Sequence, residues 1–299
     1  MSHGIGVTAA LRDLPDAVVV LFALVTQLGD VWFYLVTLAV AYCFAGTLPR
    51  VGDRVTRERI GFVIAVALGV IALTTGLKEL FAHPRPPGAE TARELAWLPE
   101  LLVPVWESVA TGDGFALPSG HATGSAAVYG AAALGLRIGR RRVRYAVAAG
   151  IVALVAFSRV VIGVHYLGDV VVGLVVGGAY LALVWRLAAG ERVKRAFSLA
   201  LVVALVGVAT HFDFETAAAL GGALGGRLTW TVVGGRLAGP DTRREGAVAT
   251  LLGLVGGGAF FAAGVAIETP VAGFVGNALA VAAILAAPLV ARRLGYSGN

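Results

Sequence analysis

The chain has 299 residues, of which 58% are hydrophobic and only 14% charged, against about 25% charged in an ordinary soluble domain. Mean hydropathy is +0.84, and apolar runs near or above ~18 residues recur, each long enough to cross a ~30 Å hydrocarbon layer as a helix. This excludes a soluble globular domain, the lack of alternating strand-like segments excludes a β-barrel, and the net charge of +6 does not imply nucleic acid because the charges sort by membrane side.

The expected fold is therefore all-α, a polytopic transmembrane helical bundle. Apolar segments are read at 14–29, 31–48, 60–81, 120–138, 145–163, 167–188, 196–210, 213–230, 246–267 and 271–291. The first residues lack the basic start and cleavage site of a signal peptide, so no processing is expected. Cys43 is the single cysteine, so no intrachain disulfide can form. With the N-terminus and Arg12 placed in the cytoplasm, alternation puts Arg50 to Arg59, Arg137 to Arg144, Arg186 to Arg195, Arg227 to Arg244, Arg292 and Arg293 on the same side. Of 24 Lys and Arg, only Lys78, Arg85, Arg93 and Arg159 remain for the other side, a strong positive-inside bias.

Those exceptions begin with KELFAHPRPP, from Lys78. Lys78 closes an apolar helix, while Pro84 and Pro86 stop it and force Arg85 into an extended conformation. Two cations thus approach one ligand from different backbone states; His83 between them reads as a bystander. The following polar stretch, 82–119, contains ELAWLPELLVPVWE with Trp97 and Trp106, which suits a membrane interface. It reads either as a lid for lipid access or as a loop packed on the bundle.

LPSGHATG, at 117–124, halts the chain immediately before a new apolar helix. Ser119 is the natural cap, Gly120 opens the helix and His121 falls in its first turn. Free N–H groups and the positive end of the helix dipole make this an anion site, against which a histidine can deliver a proton. In SRVVIGVHYLGD, at 158–169, Arg159 lies near the outer end of one segment, Gly163 permits the turn, and His165 and Asp169 open the next at i and i+4. That spacing puts imidazole and carboxylate on one helix face. The carboxylate fixes the tautomer and leaves the other ring nitrogen as nucleophile.

Topology brings these three stretches to one outer face. Three cations, a helix N-terminus, a paired histidine and a second histidine describe a phosphate site with a nucleophile and a general acid, the parts that phosphoryl transfer requires.

The same residues resemble a known family. Lys78 with six residues to Arg85-Pro86, then Pro118-Ser119-Gly120-His121, then Ser158-Arg159 with five residues to His165 and three more to Asp169, are similar to the tripartite signature of the type 2 phosphatidic acid phosphatase superfamily. The resemblance implies that Lys78, Arg85, Arg159, Ser119 and the Gly120 backbone bind phosphate. It further implies that His165 forms a phosphohistidine, that Asp169 orients it, and that His121 protonates the leaving oxygen and then activates water. It implies no metal and no cofactor, and a site on the extracytoplasmic side of the cell membrane. The partners implied are the bilayer and a lipid phosphate, either of phosphatidic-acid type or a polyprenyl (undecaprenyl) diphosphate.

A six-helix phosphatase core is expected within residues 1–190 and about four further membrane helices within 191–299. In the latter, Gly222/Gly226 and Gly253/Gly257 have the spacing for close helix approach, read as tight packing within the chain or as a homodimer face. Asp213, Glu215 and Glu268 read as solvated acids in outer turns. Two other functions compete. A transporter with an Arg159, His165 and Asp169 relay would place its site nearer the midplane. A metal hydrolase using His121, His165 and Asp169 would have its cation opposed by three basic side chains.

Overall fold

A computed structural model describes residues 6–11, 14–47, 52–188, 193–234, 239–240 and 242–296. Among these residues every regular element is a helix: α1 (Val7–Ala10), α2 (Asp16–Thr26), α3 (Val31–Phe44), α4 (Arg57–Phe81), α5 (Val103–Ala110), α6 (Gly120–Gly135), α7 (Arg141–Val161), α8 (Leu167–Ala188), α9 (Val193–Thr210), α10 (Phe214–Val233), α11 (Arg243–Ile267) and α12 (Pro270–Tyr296). Helices satisfy their own backbone polar groups, which hydrocarbon demands. Their starts are fixed by side-chain caps: Thr56 accepts from Arg59 N, Thr242 from Glu245 N, and Asp213 and Thr216 form a capping box on α10. Among the described residues, six helices, α4, α7, α8, α9, α11 and α12, are long and apolar enough to cross a membrane. The protein is a polytopic helical bundle of the expected class.

The bundle has two chemically different ends. Arg59 donates to Gly135 O and Arg137 N to Arg54 O, which puts the start of α4, the end of α6 and the start of α7 together at a basic end. Lys78, Ser119, His121, Arg159 and His165 lie at the opposite one. Arg12, Arg50, Arg192, Arg236 and the 190/191 boundary fall outside the described residues. One buried cluster joins Tyr42, Ile60, Val66, Tyr180, Phe197, Trp230, Ala249 and Leu285, so α9 to α12 share a core with the helices before them.

The N-terminal topology differs from expectation. The segments at 14–29 and 31–48 are not two crossings. They form one broken helix, bent by 49° between Gly29 and Val31. The start of α2 lies at the site end, where Asp16 pairs with Arg93 at 3.0 Å and Leu14 O accepts from the same guanidinium at 2.6 Å. The end of α3 reaches the basic end, where Arg57 donates to Ala45 O at 2.7 Å. The N-terminal segment therefore stands at the site's end of the bundle, whereas alternation from two crossings put it at the opposite end. A single extended residue, Asp30, kinks a helix but gives no room to reverse it. Arg93, read as one of four unexplained cations, is a fastening between α2 and the outer loop.

Close packing positions the site helices. A Cβ on Gly177 would overlap Thr123 O, and one on Gly173 would stand 2.9 Å from Ser119 O, so these glycines let α8 lie directly on α6. Gly177→Ala is expected to lower stability by about 1–3 kcal/mol through overpacking against a backbone carbonyl, seen as a lower thermal midpoint in detergent; an unchanged midpoint would mean that α8 shifts without cost. The Gly222/Gly226 and Gly253/Gly257 pairs also face neighbours in the same chain, the former Leu68, Phe197 and Val281, the latter Ala280, Ile284 and Ala287.

Candidate active site

Lys78 lies in the last turn of α4, which closes at left-handed Ala82 (φ 44°). Pro84 and Pro86 then keep the chain extended, as their chemistry requires, and Arg85 turns back toward the bundle. Its Nε donates to Asp113 O at 2.8 Å and Gly114 O at 3.2 Å; its Nη1 donates to Val164 O at 3.0 Å and lies 3.1 Å from His165 Nε2. His83 remains outside this group, with Nδ1 2.9 Å from Pro84 O.

Ser119 departs from its expected role. It occupies the N-cap of α6 but its side chain caps nothing. The residue is fully buried, its Oγ has no hydrogen-bond partner among the described residues, and its N–H donates to Asp169 O at 3.1 Å. Gly120 follows as the first helical residue, with the unpaired N–H groups that open any helix around it.

The third stretch closes the site. Arg159, in the last turn of α7, is buried; Nη1 donates to Thr26 Oγ1 at 3.0 Å, whereas Nε has no partner among the described residues. Gly163 takes φ +83°, open to glycine at little cost. The turn delivers His165, 1% exposed, with Nδ1 3.5 Å from Asp169 Oδ2. The two groups meet at ion-pair distance, with no hydrogen bond on Nδ1 among the described residues and not on a helix face: α8 begins at Leu167, His165 sits in the preceding turn, and Asp169 Oδ2 accepts from Tyr166 N at 2.9 Å. Burial, reinforced by the charges of Arg159, Arg85 and Lys78, holds the His165 imidazole well below its ordinary pKa.

His121, in the first turn of α6, lines a cavity of about 210 Å³ with Lys78 and Gly120. The same cavity is lined by Gly29 and Asp30 from the broken helix, Thr74 from α4, and Glu215 from α10. Glu215, read as a solvated acid in an outer turn, is instead a wall of the site. Sequence reading also passed over Asp30 and Thr26. A carboxylate inside an apolar run was the available signal for Asp30; nothing marked Thr26.

The outer stretch divides between its two readings. Trp106 is buried against Val19, Ala23, Leu95 and Ala110 and donates to Arg93 O at 2.8 Å, so it fastens the loop to α2. Trp97 is 60% exposed, and Leu101, Leu102 and Val105 are also exposed.

Chemically, the structure gathers cations, a helix N-terminus, a buried hydroxyl and two imidazoles at one end of the bundle. Arg85 and Asp169 address opposite nitrogens of His165, the geometry of a nucleophile whose Nε2 faces an anion. Residues 59–192 match the family model described as the PAP2 superfamily, so the resemblance carried by the three motifs holds over that segment. The match implies phosphatase activity, and the long apolar helices make this a membrane protein. No curated protein and no solved structure matches the chain.

Proposed function

We propose that this membrane protein, matched to the PAP2 superfamily over residues 59–192, is a lipid phosphatase that hydrolyses a phosphate or diphosphate monoester through a phosphohistidine. The observation that carries the reading is that two buried polar atoms, Ser119 Oγ and Arg159 Nε, have no hydrogen-bond partner among the described residues, while their backbones bond to Asp169 and His165. Such groups cost about 1–3 kcal/mol each when unsatisfied. A bound phosphate supplies acceptors to both.

In this mechanism Lys78, Arg85 and Arg159 neutralise the phosphate oxygens, with Ser119 and the Gly120 N–H adding hydrogen bonds. His165 Nε2 attacks phosphorus, Asp169 steadies the developing imidazolium through Nδ1, and His121 gives a proton to the departing alcohol. Water, relieved of a proton by His121, then cleaves the phosphohistidine. Concentration of basic residues at the far end of the bundle supports a site on the extracytoplasmic side of the cell membrane. Exposed Trp97 and Leu101 beside the site end suit contact with lipid, in keeping with a substrate drawn from the bilayer.

The test is phosphate release by purified protein across a panel containing a phosphatidic-acid-type lipid and a polyprenyl diphosphate. Release from at least one is expected; none from any would overturn the reading. Since side chains supply the positive charge, hydrolysis is expected to persist in excess EDTA, and loss of activity that returns with a divalent ion would instead favour metal chemistry.

A further inference from the structure

A carboxylate inside a membrane helix is expensive, roughly 2.5–3.5 kcal/mol near the bilayer centre, so Asp30 calls for a partner. The break in the helix provides one. α2 runs into a 3₁₀ turn at Gln27–Gly29, and Asp30 follows in extended backbone, φ −76° and ψ 146°. One carboxylate oxygen accepts from Trp32 N at 3.3 Å and caps α3. The other, Oδ2, lies 3.6 Å from His121 Nε2. Gly29 permits this approach, because a Cβ there would overlap a Val155 methyl and stand 2.9 Å from Ser125 Oγ and 3.3 Å from His121 Cδ2. His121 Nε2 itself is buried with no hydrogen bond among the described residues. Hydrogen bonds in empty active sites often run long and tighten around substrate, and this one needs to close by only about 0.4 Å.

We infer that Asp30 is a positioning residue for His121: it holds the Nε2–H, sustains the imidazolium, and so directs Nδ1 to the leaving oxygen. The inference rests on the proposed phosphatase reading and adds to it a residue outside the matched segment. In the first step the bond from His165 Nε2 to phosphorus forms, the bond from phosphorus to the alcohol oxygen breaks, and the proton on His121 Nδ1 passes to that oxygen. In the second, water oxygen bonds to phosphorus, the phosphorus–nitrogen bond breaks, and the water proton returns to Nδ1. His121 must therefore carry a charge at the start of each cycle. Burial, Arg159 from α7 and Lys78 from α4 all oppose that charge, with His165 also within its electrostatic reach. Asp30 is the carboxylate facing it.

Two variants separate this role from the capping of α3. Asp30→Asn keeps an oxygen for Trp32 N and removes the charge; Asp30→Ser keeps a capping hydroxyl too short to reach His121. Both are compared with the wild type on 4-nitrophenyl phosphate, whose phenolate departs without a proton, and on a simple alkyl phosphate, whose alkoxide does not. The expected result is a loss of ~10²-fold in kcat/KM, which covers only the steps up to departure of the alcohol, on the alkyl ester, the scale of general acid catalysis, with less than ~10-fold on the aryl ester. In parallel, the NMR titration midpoint of His121 in detergent is expected to fall by about one unit or more in Asp30→Asn. Equal slowing of both esters, or an unmoved midpoint, would overturn the inference. A wild type that hydrolyses neither ester would count against the phosphatase reading, while the titration, which needs no turnover, would still decide the case for Asp30. If neither variant folds, Gly29→Ala, which pushes the break away from His121, carries the same readouts.

Discussion

Replacing His165 with alanine is expected to reduce phosphate release to background, a loss of at least ~10³-fold, while the protein stays folded in the membrane. The expectation rests on how the imidazole is held. Arg85 Nη1 lies 3.1 Å from Nε2, and Asp169 Oδ2 lies 3.5 Å from Nδ1, so only Nε2 faces the anion-binding groups. Without it phosphorus has no protein acceptor, and water would have to attack directly in a site shaped for a ring nitrogen. Quenching wild-type turnover should trap an acid-labile phosphoryl group on the protein that the variant lacks. Substantial residual turnover would remove His165 as nucleophile. Because the His165 pKa is depressed, the neutral, reactive form survives below the ordinary pH range of histidine, and protonation of this residue should cut activity only below about pH 6.5.

Asp169→Asn is expected to slow the reaction by ~10²–10⁴-fold in kcat with little change in KM, by analogy with carboxylates that fix a catalytic tautomer. The substitution is nearly isosteric. An amide oxygen can still accept from Tyr166 N, now 2.9 Å from the carboxylate, so the turn that carries His165 should survive. Because Oδ2 serves both Tyr166 N and His165 Nδ1, an amide oxygen in its place keeps both contacts but not the charge, so the imidazolium that develops as Nε2 attacks loses its counter-charge. Steady-state kinetics beside a thermal melt distinguish the cases. Wild-type rates would make the pairing purely structural.

The apolar segments were legible because composition and length alone decide where hydrocarbon can be crossed, and each segment read from the sequence overlaps a helix or half of the broken one, with ends displaced by a few residues. The three motifs were legible as neighbours because alternation of crossings brings their ends together, whatever the details of packing. Hydropathy could not tell a kink from a reversal at Asp30: both look like a polar interruption between apolar runs, and only the contacts of Asp16 with Arg93 and of Arg57 with Ala45 O decide between them. The hydroxyl of Ser119 reads as a cap in any sequence, since nothing local says that its helix start is reserved. Glu215 was passed over for a related reason. Its role depends on α10 packing beside α4, a long-range contact with no trace in neighbouring residues.

The cavity beside His121 is walled partly by Asp30 and Glu215, which lie on either side of the matched stretch at 59–192. The walls of one cavity are thus written in separate portions of the gene. The broken helix carrying Asp30 is tied to His121 and resists exchange, whereas α10, which brings Glu215, carries no such tie among the described residues, so its replacement would retune which alcohol fits while the phosphorus-handling groups stay in place.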